Sequence, residues 1–124
     1  MNPPSGLFRR DDRCQSRVED QTVRIIFPPI DLALAAAIAK REGYEPRIID
    51  YPALGADWEQ VRRDLQAFQP DVLLINVTTA TAQEDLNAAR MAKEINPLAQ
   101  TIARGEIFER LGEKLLAECP ALDV

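Results

Sequence analysis

Residues 69–81 read QPDVLLINVTTAT and contain the most apolar run of the chain, VLLINV. A continuous apolar run of this length, with proline before it and threonines after it, is typical of a central parallel strand covered on both faces. The same order, an amphipathic stretch ending in Gly or Pro and then a short apolar run, occurs in REGYEPRIIDY (residues 41–51) and NPLAQTIARGE (residues 96–106). This alternation predicts βαβ units around a parallel sheet.

Helical patterns lie between these runs. Residues 30–42 (IDLALAAAIAKRE) are alanine-rich and apolar on most faces, and Gly43 stands where a C-terminal cap would, so we expect a well-buried helix. The next helix should end before Pro70 and should turn one apolar stripe toward the sheet, made of Trp58, Val61, Leu65 and Phe68. A last helix should carry on one side Phe108, Leu111, Leu115 and Cys119.

Two helix starts have the spacing of a capping box, in which a polar side chain caps the helix and a Glu or Gln follows three residues later. Asp57 precedes Gln60 at this spacing, and Thr81 precedes Glu84. We therefore expect Asp57 and Thr81 to cap their helices, the second of which should extend to about residue 95.

The pattern predicts one domain. Residues 1–21 are polar and aperiodic and are predicted to be an N-terminal loop, whereas residues 22–124 should form the α/β core. Strands are expected at residues 22–27 (TVRIIF), 47–51, 72–77 and 101–103. The sequence ends with LDV, which resembles the first residues of a strand. We therefore expect a three-layer parallel sheet that is incomplete at both ends. We also expect the chain to be a piece of a longer protein, because unpaired strands and uncovered helix faces are costly.

Charge and apolar pattern limit the partners of this chain. Its net charge of −5 argues against nucleic acid, because phosphate-backbone binding requires a basic surface. No run approaches the roughly 20 apolar residues that span a bilayer, and the amino terminus has no apolar signal segment. We therefore predict a cytoplasmic protein without a membrane span.

Few residues are available for acid–base or metal chemistry. The chain has no histidine, which excludes histidine-based triads and imidazole metal ligands. Its two cysteines, Cys14 and Cys119, are far apart and are best interpreted as reduced structural thiols. We predict no catalytic residue and no metal ligand in this chain.

Three loops follow strands and should meet at the carboxyl edge of the sheet, where open α/β folds bind ligands: residues 2–6, 78–81 and 104–106. The second loop offers threonine hydroxyls and free helix N–H groups, which can bind amides, phosphates or sugar hydroxyls. The alternative is that Thr81 merely caps its helix, and likewise Gly105 could either admit a ligand or simply form a turn. A phosphoacceptor domain is disfavoured because Asn76 stands where an Asp would be required.

Several motifs in sequence order resemble one family: NPPSGLFRRDDRCQ, FPPIDLALAAAIAKREGYEPRIIDYPA, PDVLLINVTTAT and ARGE. Together they are similar to the N-terminal cobalamin-binding domain of cobalamin-dependent radical S-adenosylmethionine enzymes. The resemblance spans essentially the whole chain, residues 1–124. It implies a flavodoxin-like, Rossmann-like parallel sheet with strand order 2-1-3-4-5 and cobalamin over its carboxyl edge.

The resemblance also implies which residues line the cofactor pocket: Asn2, Pro3, Pro4, Thr78, Thr79, Ala80, Thr81, Arg104, Gly105 and Glu106. Without histidine, the chain cannot supply the imidazole that ligates cobalt from below in other cobalamin domains. The iron–sulfur cluster and S-adenosylmethionine of the family belong to a second domain with a three-cysteine motif, which this sequence lacks. The first strand, central in that order, is also missing before Asn2 unless residues 22–27 replace it.

Two functions are compatible with these observations. The first is a cobalamin-binding module that presents methylcobalamin to a radical S-adenosylmethionine domain for methyl transfer or a related reaction, the chain itself not being catalytic. The second is a non-catalytic remnant or interaction module that keeps the scaffold, binds no cofactor and associates through its exposed sheet edge.

Overall fold

Helices and strands alternate along most of the chain. The computed structural model of the protein describes residues 1–5, 8–11, 14–17 and 28–124, and the predicted strand at residues 22–27 lies outside these ranges. The described helices are α1 (Ile30–Arg41), α2 (Tyr51–Leu54), α3 (Trp58–Phe68), α4 (Ala82–Asp85), α5 (Asn87–Ile95) and α6 (Phe108–Glu118), with a 3₁₀ turn at Thr79–Thr81. The described strands are β1 (Phe8–Asp11), β2 (Cys14–Arg17), β3 (Val72–Asn76) and β4 (Gln100–Arg104).

The centre of the sheet is the parallel pair β3 and β4, in which Val72 lies opposite Gln100 and Asn76 opposite Arg104. Beyond β4 the sheet continues into the last residues of the chain. The Asp123 N–H donates to the Thr101 carbonyl (3.0 Å), and the Ala103 N–H donates to the Val124 carbonyl (2.8 Å). LDV therefore pairs with β4 as the start of a further strand would.

On the other side of β3 the neighbouring position is held by Met1 and Asn2. The Asn76 N–H donates to the Met1 carbonyl (3.0 Å), and the Asn2 N–H donates to the Ile49 carbonyl (3.0 Å). A parallel bridge joins Asn2 to Asp50. The order across the sheet is thus residues 49–50, 1–2, β3, β4 and 123–124, which confirms the predicted flavodoxin-like parallel architecture.

The predicted strand at residues 47–51 is wrong in its extent. Only the bridge at Asp50 forms there, and Tyr51 already begins α2. A strand is defined by its partner, and Met1 and Asn2 offer two residues of backbone instead of a full strand. Residues 44–49 run without a regular element.

Helix α1 forms almost as predicted but is not well buried. Leu32 is its only buried residue, while Leu34 and Ile38 are 61% and 47% exposed. The prediction rested on the apolar composition of the helix. Composition shows which side chains could be buried but not whether another element covers them, and most of the apolar side chains of α1 are exposed or half-buried.

The core lies between the sheet and helices α3, α5 and α6. Ile75 of β3 and Val61 of α3 are fully buried, and Leu115 of α6 is nearly so. The predicted cap of α3 is confirmed, because the Gln60 N–H donates to Asp57 Oδ1 at 2.9 Å. Gly43 has φ +90°, as a helix C-terminal glycine should.

The predicted loop at residues 1–21 is wrong in part. Strands β1 and β2 form an antiparallel hairpin in which Phe8 pairs with Arg17 and Asp11 with Cys14. Two short segments that are adjacent in sequence can pair through their backbones without any apolar periodicity, so the polar sequence did not reveal them. The Cα atoms of β2 lie close to those of the Thr79–Thr81 turn, and the hairpin therefore borders the carboxyl edge of the sheet.

Candidate functional site

The three predicted loops meet at one edge of the sheet. The Asn76 Nδ2 group at the end of β3 donates to Asn2 Oδ1 (2.9 Å), which links the amino-terminal segment to β3. The Val77 N–H donates to the Arg104 carbonyl (2.8 Å), which links β3 to the loop after β4. Residues 2–5, 77–81 and 104–106 therefore surround the carboxyl ends of the central strands.

A buried carboxylate, Asp85, organises this edge. The Ser5 hydroxyl donates to Asp85 Oδ1 across the loop junction. Asp85 Oδ2 accepts from the Thr78 N–H (2.9 Å) and from the Thr81 hydroxyl (3.0 Å). Asp85 is 3% exposed, so these bonds act away from bulk water, where charge-assisted hydrogen bonds are strong.

These contacts correct the predicted role of Thr81. Its side chain makes no capping hydrogen bond to the helix and instead binds Asp85, one turn further along. The predicted helix to residue 95 is also divided at Leu86 into α4 and α5. Sequence reasoning missed Asp85 and Ser5. The available signal was the spacing of Thr81 and Asp85, since residues four apart face each other on a helix.

A cavity of about 340 Å³ opens beside this network, between the Thr79–Thr81 turn and α6. Thr79 and Ala80 are exposed at its rim, whereas Thr78 is buried beneath them. The lining residues are Ser5, Thr79, Ala80, Thr81, Ala82, Gln83, Glu84, Ile107, Leu111, Lys114, Leu115 and Glu118. The predicted loop at residues 78–81 thus borders a concave surface that combines hydroxyl and apolar groups.

The amino-terminal loop holds two polar atoms that are buried without a partner among the described residues. Asn2 is fully buried, and its Nδ2 group has no acceptor. Oδ1 of the neighbouring Asp50 also has no donor. Pro3 is buried and Pro4 half-buried next to them. An unpaired buried polar group costs about 1–3 kcal/mol, so a ligand with amide or hydroxyl groups would be favoured here.

The contacts of the third predicted loop, residues 104–106, are mainly structural. Arg104 Nη2 donates to Asp31 Oδ2 of α1 (2.9 Å), and Glu106 is exposed. A Cβ at Gly105 would lie 2.1 Å from the Val77 carbonyl oxygen. Glycine is therefore required at this position by the close approach of two backbone segments, whether or not a ligand lies above them.

The described residues include no group of three or more His, Cys, Asp or Glu that could hold a metal ion. With no histidine in the sequence, no imidazole can approach a ligand from this chain. Cys119 is a buried free thiol. Within the described ranges, the helices are all too short or too polar to cross a membrane.

Comparison with known proteins places these observations in context. The profile of a family described as "B12 binding domain" matches residues 18–124. A Pyrococcus horikoshii protein named as an uncharacterized methyltransferase is 29% identical over 96 residues, which cover 77% of this chain and 21% of that protein. The chain thus spans about a fifth of the length of this relative. No solved structure matches the chain significantly.

Proposed function

We propose, since the chain belongs to the B12-binding domain family, that it holds cobalamin over the carboxyl edge of its sheet. Family membership supports cobalamin as the ligand. The placement over this edge is our inference from the convergence of the three loops around β3 and β4. The residues proposed to line the site are Asn2, Pro3, Pro4, Thr78, Thr79, Ala80, Thr81, Arg104, Gly105 and Glu106.

The observation that supports this placement most directly is the unpaired amide of Asn2. Its Nδ2 group is fully buried at the carboxyl edge and has no acceptor among the described residues. The hydroxyl of Thr79 and the surface of Ala80 are exposed beside the neighbouring cavity. Amide and hydroxyl donors next to apolar surface suit the amide-bearing rim of a corrin ring.

The chain's own contribution would be binding and orientation. Asp85 holds the residue 78–81 loop in shape through Thr78 and Thr81. No histidine is available to ligate cobalt. When bound, cobalamin would supply a transferable methyl group.

We further propose that the reaction itself occurs in a radical S-adenosylmethionine domain that carries an iron–sulfur cluster. The similarity to a protein named as a methyltransferase supports methyl transfer as the reaction class. The chain covers only 21% of that relative, so most of such a protein lies outside the matched region. A cytoplasmic location belongs to the same proposal and rests on the reduced cysteine at position 119.

The alternative is an interaction module that uses the same scaffold without a cofactor. It is favoured by large apolar side chains on the described surface, such as Leu98 at 89% and Val72 at 51% exposure. Exposed apolar surface of this kind often marks a protein interface. The two functions differ in a simple observable, which is retention of the cofactor.

The deciding experiment is a titration of the purified chain with hydroxocobalamin, followed by the visible corrin absorption bands and by retention on a desalting column. We expect the bands to shift and the protein to retain the cofactor. A matched pair of variants locates the site. Ala80→Trp should weaken binding about tenfold or more, because overpacking costs about 1–3 kcal/mol, whereas Ala67→Trp, on the exposed surface of α3, should bind normally.

No band shift and no retention by the unaltered chain would overturn the cobalamin proposal and favour the interaction module. Equal binding by the Ala80→Trp and Ala67→Trp variants would keep cobalamin as the ligand but remove it from the carboxyl edge.

A further inference from the structure

A row of polar side chains crosses the sheet at its carboxyl edge. Asp50 pairs with Asn2 in a parallel bridge, and Asn2 Oδ1 accepts a hydrogen bond from Asn76 Nδ2 (2.9 Å). Asn76 in turn lies opposite Arg104 in the parallel register of β3 and β4. Residues paired across parallel strands point their side chains to the same face of the sheet. The helix on that face is α1, because Arg104 Nη2 donates to Asp31 Oδ2 in its first turn.

Two neighbouring residues of this row carry buried polar atoms without a partner among the described residues. Asn2 Nδ2 is a donor without an acceptor, and Asp50 Oδ1 is an acceptor without a donor. The Asn2 amide turns its oxygen toward Asn76 on one side, so its nitrogen is turned toward the side of Asp50. The two atoms do not bond each other. A donor and an acceptor on adjacent residues are therefore both left open.

This arrangement selects the chemistry of the group that would complete it. The group must accept from Asn2 and donate to Asp50, which a primary carboxamide or a hydroxyl can do and a carboxylate cannot. A carboxylate would also bring a second negative charge beside Asp50. Burial without a partner is costly for a polar atom, so a neutral group with both functions would be favoured.

The depth of the pair favours a group on a flexible arm. Asn2 is fully buried, Asp50 is half-buried, and neither unpaired atom is open to water. The pair thus lies just below the surface of the carboxyl edge. A corrin ring carries propionamide arms around its rim, and each arm ends in a primary carboxamide. The side chains that cover the pair must shift to admit such an arm, and the two hydrogen bonds gained would offset this shift.

We propose that Asn2 and Asp50 together bind one propionamide arm of cobalamin. The carboxamide oxygen accepts from Asn2 Nδ2, and the carboxamide NH₂ group donates to Asp50 Oδ1. Asp50 is then a specificity-determining residue that separates the intact cofactor from derivatives in which this amide is an acid. The inference rests on the proposed cobalamin function and adds to it a residue outside the three predicted loops, since Asp50 directly precedes α2.

The test compares hydroxocobalamin with its isomeric monocarboxylic acids, each of which carries a carboxylate in place of one propionamide. Titration followed by the corrin absorption bands measures the affinities. We expect at least one acid to bind the unaltered chain about tenfold more weakly than hydroxocobalamin, because a hydrogen bond is lost and like charges meet. Asp50→Asn should reduce that difference to about threefold or less, since its amide can donate to the carboxylate.

Asp71→Asn is the matched control. Asp71 is exposed and directly precedes β3, at the opposite end of that strand, and its replacement changes the net charge by the same amount. It should leave the preference for hydroxocobalamin intact. An unaltered chain that binds all the acids as well as hydroxocobalamin, or an Asp50→Asn variant with an unchanged preference, would overturn the assignment but keep cobalamin as the ligand. An unaltered chain that binds no hydroxocobalamin would overturn the proposed function and this inference with it.

Other partners of the pair give different results. If another segment of this chain paired with Asp50, Asp50→Asn would lower the thermal midpoint of the free chain without altering the preference, which would contradict the proposal. A ribose hydroxyl is tested with cobinamide, a corrinoid that lacks the nucleotide. We expect Asp50→Leu to weaken the binding of cobinamide and hydroxocobalamin alike by about tenfold, because it removes an acceptor used in both complexes. A loss confined to hydroxocobalamin would assign the pair to the nucleotide and overturn the amide.

Discussion

Two residues, a buried aspartate and a glycine, hold the loops of the carboxyl edge together. Asp85 collects hydrogen bonds from Ser5, Thr78 and Thr81, and Gly105 allows the loop after β4 to approach Val77. Asp85 supports the loops without being among the residues proposed to line the cobalamin site, whereas Gly105 both supports a loop and belongs to the proposed lining. Changes at either should therefore disturb stability together with binding.

Gly105→Ala should lower the free energy of unfolding by about 1–3 kcal/mol, because the added Cβ would lie 2.1 Å from the Val77 carbonyl oxygen. Urea unfolding measures the change. Gly112→Ala is the control, since a Cβ there meets only side-chain carbons at 3.8 Å or more in the interior of α6. It should stabilise the protein by about 0.4–1 kcal/mol. An unchanged free energy of unfolding in Gly105→Ala would show that the two loops can separate freely.

Asp85→Asn should cost about 1.5–3 kcal/mol of stability, because an amide keeps one acceptor oxygen where the carboxylate has two. The loop at residues 78–81 should loosen, so hydrogen exchange at Thr78 should accelerate and cobalamin affinity should fall. Glu113→Gln, at an exposed position of α6 that does not line the cavity, serves as the control and should change neither quantity. Unchanged exchange at Thr78 in Asp85→Asn would contradict the supporting role.

Among the secondary-structure elements, the backbone pairing of residues 123–124 with β4 is reinforced by the side chain of Asp123. Asp123 Oδ2 accepts from the Thr101 N–H (2.8 Å) and forms an ion pair with Lys93 Nζ of α5 (2.7 Å). The hydrogen bond from Lys93 is the main cause that lowers the pKa of Asp123 from 3.8 to about 2, with the Thr101 N–H next. This carboxylate joins α5, β4 and the end of the chain.

The lowered pKa of Asp123 predicts a pH dependence of stability. The unfolded carboxyl takes up its proton near pH 3.8 and the folded one only near 2, so the contribution to stability is complete above about pH 5 and is lost as the pH falls from there through the folded pKa. Urea unfolding between pH 5 and pH 2 measures it. Asp123→Asn should flatten the decline over this interval, whereas an equally steep decline in the variant would assign the acid sensitivity to other groups.

Across the whole molecule, the regions around the sheet differ in how firmly they are held. The carboxyl edge is closed by hydrogen bonds between distant loops. The exposure of Leu34 and Ile38 shows how loosely α1 is held. Elements with few buried contacts open most readily, so α1 should be the least protected long helix of the core.

Cobalamin binding should stabilise the carboxyl edge selectively. Hydroxocobalamin at a hundred times its dissociation constant should raise the free energy of unfolding by about 2.7 kcal/mol, if it binds only the folded chain. Hydrogen exchange should then slow at residues 78–81 and 104–106, with little change at residues 44–49. Protection confined to residues 44–49 would place the cofactor beside that segment and contradict the proposed site.

Much of the fold was predictable from short-range pattern. The caps at Asp57 and Gly43, the apolar β3 and the pairing of LDV with β4 follow the periodicities of the sequence. The antiparallel pairing of β1 with β2 was missed because backbone pairing leaves no apolar signature. The burial of α1 was overestimated, since periodicity describes which face is apolar but not whether a partner covers it.

The amino-acid pattern was sufficient for the α/β class, the parallel sheet and the three loops, because helix caps and strand periods depend on residues close together in the chain, whereas the strand order was implied by the family resemblance. The organising contacts could not be obtained in this way. Ser5 meets Asp85 across 80 residues and Met1 meets Leu74 across 73, so folding alone brings them together. The buried carboxylate and the close approach at Gly105 are products of that packing, since each depends on which distant backbones become neighbours.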